Sequence, residues 1–247
     1  MSTAQGNTYD LSGRVALVPG GFGGLGSAVT RAFVQSGARV VVAGSREHPE
    51  ELQAIQQELG AAGERVSFER TDVFNEEEVE RLVWSVVNRH GRLDILMNVI
   101  GGYSAGQPVA GLELGTWRTM LDLNLNSAFL LAKHAVHPMI QQDWGRIIHV
   151  SSRAAWSGRR NAAAYAVAKH AVLTLTEVQA EELRDSHITV NAILPSIIDT
   201  PANRTSMPGA DFSRWPKAEE VARVLLFLAS DDAALISGAS IPVYGRA

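Results

Sequence analysis

Short apolar runs alternate along this chain with longer stretches of helical periodicity. Residues 14–18 (RVALV) form the first run and lead into PGGFGGLGSA at 19–28. A helical pattern continues through Phe33 to about Ser36, where Gly37 stops it. The next run, 38–44 (ARVVVAG), is β-branched and uninterrupted, as expected of a strand buried on both faces. The alternation then predicts a helix over 49–62, a strand over 65–70, a helix over 75–90 and a strand over 93–99. A long helix over 114–141, a strand over 145–152, a helix over 161–184, a strand over 187–194, a helix over 217–229 and a strand near 239–243 complete the series. Asn75 stands where it can cap the third helix, and the three glutamates after it suit the positive end of the helix dipole.

Repeated βα units with apolar strands predict an α/β protein: a single-domain Rossmann arrangement, doubly wound, with a seven-stranded parallel sheet and helices on both faces. A closed eightfold barrel needs more βα units than the chain supplies. Residues 1–12 are polar and read as a loose leader, which leaves 13–247 as one domain without repeats or linkers.

The 247 residues are 46% hydrophobic and 19% charged, enough to bury a substantial core. A net charge of −4 gives no hint of nucleic-acid binding. With no cysteine, disulfides and thiolate metal sites are excluded. Of the seven histidines, His134 and His137 share a helix face, but no third ligand accompanies them, so no metal site is expected. No apolar run reaches the roughly 18–20 residues of a membrane span. The N-terminus lacks a basic segment followed by an apolar one, and a cytoplasmic location is the expectation.

Two stretches carry chemistry. Gly20, Gly24, Leu25 and Gly26 lie at the first strand–helix turn, where glycine lets the backbone approach a pyrophosphate seated on the helix N-terminus. Further strand ends supply neighbours for a dinucleotide: Asp72 and Val73 on the adenine side, Asn98 and Gly101 on the nicotinamide side. At the end of the second strand, Gly44 stands where a carboxylate would bind a ribose 2′-hydroxyl, and Ser45 and Arg46 follow. A guanidinium without a carboxylate favours NADP, with NAD as the other possibility. The second stretch is SRAAWSGRRNAAAYAVAK, with Ser152, then Tyr165, then Lys169 one helical turn further on. A phenol titrates near 10, and a nearby cation that favours phenolate brings it within reach of acid/base work.

With these residues in place, the chain resembles the short-chain dehydrogenase/reductase family over about residues 12–247. The glycine motif falls on 20–26, the strand end on 98–101, and the active-site asparagine on Asn124 in LNLNSAF rather than on Asn126. The serine falls on Ser152 rather than Ser151, the Tyr-x-x-x-Lys pair on Tyr165 and Lys169, and the Pro-Gly strand end on Pro195 and Ser196. The resemblance implies that Tyr165 exchanges a proton with the substrate oxygen, that Lys169 lowers the Tyr165 pKa and binds the nicotinamide ribose, and that Ser152 holds the substrate oxygen. It also implies that Asn124 bends its helix and keeps a water beside Lys169, with Ile198 and Thr200 near the carboxamide. Pro19, Val99, Ile100, Ser196 and Tyr244 depart from the family pattern without removing a reacting group.

The resulting expectation is an NAD(P)-dependent reductase of ketones or dehydrogenase of secondary alcohols, NADPH-preferring and nearest to 3-oxoacyl-[acyl-carrier-protein] reductases. A cofactor-sensing protein without turnover is the alternative. Residues 201–216 are expected to form a short substrate lid, with Trp156, Met207, Phe212 and Trp215 lining an apolar pocket. Arg153, Arg159, Arg160, Arg204 and Arg214 would ring it and favour an acidic or acyl-carrier-linked substrate. Members of the family are commonly homotetramers packed through the two long helices, and the same is expected here.

Overall fold

The computed structural model describes residues 9–246. Its strands are β1 (Val15–Pro19), β2 (Arg39–Gly44), β3 (Val66–Arg70), β4 (Ile95–Asn98), β5 (Gly145–Val150), β6 (Ile188–Pro195) and β7 (Ser240–Val243). They form one seven-stranded sheet in the order β3-β2-β1-β4-β5-β6-β7, and every pairing is parallel. The helices are α1 (Gly24–Gln35), α2 (Pro49–Leu59), α3 (Glu76–His90), α4 (Leu114–Leu121), α5 (Ser127–Gln141), α6 (Ala154–Ser157), α7 (Ala163–Glu182), α8 (Pro201–Ser206) and α9 (Ala218–Ala229).

Side-chain alternation along the strands divides the core into two layers. Ala16, Val18, Val40, Val42, Ile95 and Met97 face α1, α2 and α9. Their sequence neighbours Val15, Leu17, Val41, Ala43 and Leu96 face α3 and α5. Strands buried on both sides carry no polar face, which is why they read as unbroken apolar runs. Asn75 caps α3 as expected, its side chain accepting the Glu78 N–H, and Gly91 ends that helix in a left-handed turn. Among the described residues, no helix is long and apolar enough to cross a membrane.

Three local departures have physical causes. Residues 1–8 of the predicted leader lie outside the described residues, but Leu11 is buried in the core and Tyr9 packs its ring on Phe227 at 5.6 Å. The helix predicted over 49–62 ends at Leu59, because Gly60 turns to φ 57° and a 3₁₀ segment runs on to β3. The helix predicted over 114–141 is interrupted by a π-helical turn, Asp122–Asn126. There the Asn124 amide donates to Met120 O at 3.0 Å and to Gly102 O at 3.1 Å, and this side chain reaching into the carbonyl ladder accompanies the wider turn.

The segment after β6 closes on itself. Asp199 N–H donates to Pro216 O at 2.9 Å, so both ends of residues 200–215 meet. Thr200 caps α8, and Phe212 and Trp215 pack at 4.9 Å, with Trp215 buried.

Candidate active site

The strand order reverses between β1 and β4, so the loops after these two strands diverge and leave a crevice at the carboxyl edge of the sheet. The glycine loop lines it. Gly20 adopts φ 81°, a left-handed conformation that side chains disfavour, while its N–H donates to Ala43 O at 2.9 Å. A Cβ on Gly26 would stand 2.1 Å from Gly20 O, so the turn can be this tight only with glycine there. Helix α1 begins at Gly24 with no side-chain cap and no acid in its first turn. Its leading amides therefore offer hydrogen-bond donors and positive dipole to an anion. A Cβ on Gly24 would lie 2.7 Å from Thr200 Cγ2, which brings the β6 loop against the glycine loop. The uncapped helix and the bare glycine backbone fit a pyrophosphate-bearing cofactor.

The other residues expected to bind a dinucleotide distribute around this crevice with differing freedom. Ser45 and Arg46 are exposed just beyond β2. Arg70, which sequence reasoning missed, stands in register with Gly44 and donates from Nε to Ser45 O at 3.3 Å. Its signal was its place as the last residue of β3, legible only once the pairing of β2 with β3 is known. Asp72 holds a turn, its carboxylate accepting Phe74 N–H at 3.0 Å, and Val73 points into the core layer beneath α3. Asn98 is buried and accepts Ile100 N–H at 3.3 Å. Pro195 ends β6; Ile198 offers its carbonyl to Asn203 Nδ2 at 2.8 Å. Thr200 Oγ1 accepts Asn203 N–H at 3.3 Å. Gly101 is held bare by its surroundings, because a Cβ there would come within 2.9 Å of Asn124 Oδ1 and 3.0 Å of Lys169 Nζ.

Ser152, Tyr165 and Lys169 do come together. Strand β5 delivers two serines with different fates: Ser151 is buried and donates to Lys169 O at 2.7 Å, while Ser152 is half-exposed and hydrogen-bonds the Tyr165 phenol. Ser152 Oγ also accepts Ala154 N–H at 3.2 Å, which fixes its direction. Lys169 is buried, and Nζ donates to Val150 O at 2.8 Å. Burial pushes its pKa down to about 8. Asn124 accepts Gly102 N–H at 3.1 Å, completing its contacts with the strand end beside the lysine.

One expectation is corrected. The Tyr165 pKa is raised, not lowered: burial pushes it up and Tyr103 adds to this, against the opposing hydrogen bond from Ser152 and the charge of Arg159. Lys169 contributes little because its ammonium is turned toward Val150 and stands 6.0 Å from the Tyr165 ring centre. Tyr103, also missed in the sequence, packs edge-on against Tyr165 with ring centres 4.9 Å apart.

The arginines expected around the pocket are not equivalent. Arg204 is held by Asp199 through two hydrogen bonds of 2.6 and 2.8 Å, Arg214 donates to Arg246 O, and Arg153 stacks on Tyr244 at 5.0 Å. Arg159 lies over Tyr103, 5.7 Å from its ring centre. Trp156 is exposed, and Met207 and Phe212 are partly buried.

Comparison with known proteins agrees with this architecture. The family model for short chain dehydrogenase matches residues 14–210. A 3-oxoacyl-[acyl-carrier-protein] reductase of Thermotoga maritima is 31% identical over 243 residues, covering 95% of this chain and 98% of that protein. Cis-4-hydroxycyclohexanecarboxylate dehydrogenase of Sinomonas cyclohexanicum is 33% identical over 240 residues, covering 94% and 95%. The solved structure of ElxO with NADP bound superposes with a TM-score of 0.86 at 27% identity, covering 94% of this chain and 97% of that one. The chain is therefore an oxidoreductase, and it belongs to the short-chain dehydrogenase family.

Proposed function

We propose that the protein reduces a ketone to a secondary alcohol, or runs the reverse reaction, with a nicotinamide cofactor and with NADPH preferred. The observation that carries this reading is the convergence of Ser152, Tyr165 and Lys169 beside a crevice floored by bare glycine backbone. NADP(H), when bound, supplies or accepts the hydride at the carbon. The side chains handle the proton and the oxygen. Tyr165, its pKa raised by burial, remains a protonated phenol at neutral pH and donates to the carbonyl oxygen as that oxygen gains negative charge. Ser152 donates a second hydrogen bond to the same developing charge. Lys169, with a pKa near 8, holds a proton it can release toward the phenolate that results. Asn124 positions the strand end by gripping both backbone groups of Gly102. In oxidation the same proton path runs backwards.

Arg46 just after Gly44 and Arg70 opposite it on β3 support the NADP preference, since two guanidinium groups suit a 2′-phosphate. ElxO, whose structure holds NADP, is consistent with it. The relatives that act on an acyl-carrier-linked compound and on a ring carboxylate support an acidic substrate, and the loop 201–216 serves as its lid. No observation favours a non-catalytic sensor, because every group needed for proton transfer is present. Exposed Leu114, Phe129 and Ile140 on α4 and α5, with Val167 and Val178 on α7, support assembly into a homotetramer through these helices.

The test is Tyr165→Phe assayed on a panel of ketones with NADPH and NADH in parallel. Loss of about 10²–10⁴-fold in kcat with nucleotide affinity retained is the expected result. Equal turnover by both proteins would sink the reading.

A further inference from the structure

Two loops meet over the reacting phenol. The loop after β4 carries Tyr103, and the loop between α6 and α7 carries Arg159. They are tied together by Gly106 N–H donating to Asn161 O at 2.9 Å. Arg159 sits in a tight turn closed by Ala162 N–H on Arg159 O at 3.1 Å, between two left-handed residues, Gly158 at φ 58° and Asn161 at φ 63°. This backbone fixes where the arginine starts, and its guanidinium ends over the Tyr103 ring. Tyr103 in turn abuts Tyr165 while 55% of its own surface remains open.

Among the described residues, nothing uses up this guanidinium. A separation of 5.7 Å is near the outer limit of about 6 Å for a cation over a ring, so the contact with Tyr103 is weak. Among the described residues, no ion pair within 4.0 Å engages Arg159, whereas Arg204 is claimed by Asp199 and Arg184 by Glu181. An unpaired arginine over Tyr103, which itself abuts Tyr165, is a ready partner for a planar anion, which it can grip with two parallel hydrogen bonds.

We propose that Arg159 is a carboxylate-binding residue of the substrate pocket, with Tyr103 as the apolar floor between it and Tyr165. The preferred substrates are then oxo acids, and the matching hydroxy acids, whose carboxylate lies several bonds from the reacting carbonyl. This assignment rests on the reading of Tyr165 as the proton donor. The Arg159 charge also opposes the upward shift of the Tyr165 pKa, so neutralising it with a bound carboxylate favours the protonated phenol that reduction needs.

The probes are 4-oxocyclohexanecarboxylate and its neutral amide, assayed with saturating NADPH. Wild-type protein is expected to favour the acid at least tenfold in kcat/KM, and Arg159→Gln to collapse that ratio toward one, with Arg159→Lys between them. Direct binding of the acid, measured by calorimetry on Tyr165→Phe with and without Arg159→Gln, is expected to weaken at least tenfold. A ratio near one in the wild type, an equal loss for acid and amide in Arg159→Gln, or unchanged calorimetric binding would each overturn the proposal. Arg159-dependent binding without turnover of either ketone would leave the subsite standing and remove the reductase reading instead.

Discussion

Tyr165 and Lys169 stand one turn apart on α7, yet the ammonium points past the phenol to Val150 O at 2.8 Å, 6.0 Å from the ring centre. The lysine is thus a buried cation hydrogen-bonded to a carbonyl and, among the described residues, to no carboxylate, and its pKa falls from above 10 to about 8. A cation with a lowered folded pKa destabilises the fold at low pH. The penalty is full below about pH 8, shrinks as pH rises toward 10.5 and is gone above it. Replacing Lys169 by Met is therefore expected to increase stability at pH 7 by about 2 kcal/mol, after allowing for the bond lost at Val150. The gain should vanish near pH 10.5, and kcat should fall by about a hundredfold or more. Urea unfolding of both proteins at pH 7 and 10.5 checks the sign; a less stable variant at pH 7 contradicts it.

His149 presents a similar problem on the acid side. It is fully buried in β5 with Nδ1 unpartnered among the described residues, and burial lowers its pKa from 6.5 to about 4. The unfolded chain takes up a proton as pH falls below 6.5 and the folded protein only near 4, so stability is complete above 6.5 and declines between these values. The loss amounts to about 3 kcal/mol by pH 4. His149→Leu should flatten this part of the stability–pH curve, as followed by thermal unfolding from pH 7 to 4.

The glycine loop separates two kinds of tolerance. At Gly26 a Cβ would strike the backbone oxygen of Gly20 at 2.1 Å, which cannot move without undoing the turn. At Gly24 it would meet the Thr200 side chain, chiefly its methyl group at 2.7 Å and its Cβ at 3.0 Å. Gly26→Ala is expected to lower stability by roughly 3 kcal/mol or more, and Gly24→Ala by about 1 kcal/mol or less. Adding Thr200→Ser should restore part of the stability lost in Gly24→Ala but leave Gly26→Ala unchanged, as read by Tm.

Arg46 after β2 and Arg70 at the end of β3 make a separable claim. Removing both guanidinium groups in Arg46→Ala/Arg70→Ala should raise KM for NADPH at least tenfold, with KM for NADH shifting by only a few fold. Equal changes for both cofactors would show that neither arginine reads the 2′-phosphate.

The succession of strands and helices and the parallel sheet were legible because both depend on local periodicity. So were the glycine turn and the Tyr165–Lys169 pair, since a strand-end loop and an i, i+4 spacing are local features as well. What stayed hidden depends on where distant segments meet. Arg70 required the register of β2 against β3, and Tyr103 required the bond that ties its loop to Asn161. The resemblance anticipated a bend at Asn124, but its π-helical form required that side chain to reach Gly102 O. The direction of the Tyr165 shift required its burial and the turn of Lys169 away from it, neither of which spacing can encode.

Because Asp199 joins Pro216 at the base of the segment after β6, the sheet and α9 meet a closed stem rather than two free chain ends. The entropy of bringing those ends together depends only weakly on how many residues lie between them. The segment is in that sense an interchangeable cassette. A longer or differently composed piece could be grafted between residues 199 and 216 while β6, α9 and the Ser152, Tyr165 and Lys169 side chains keep their places.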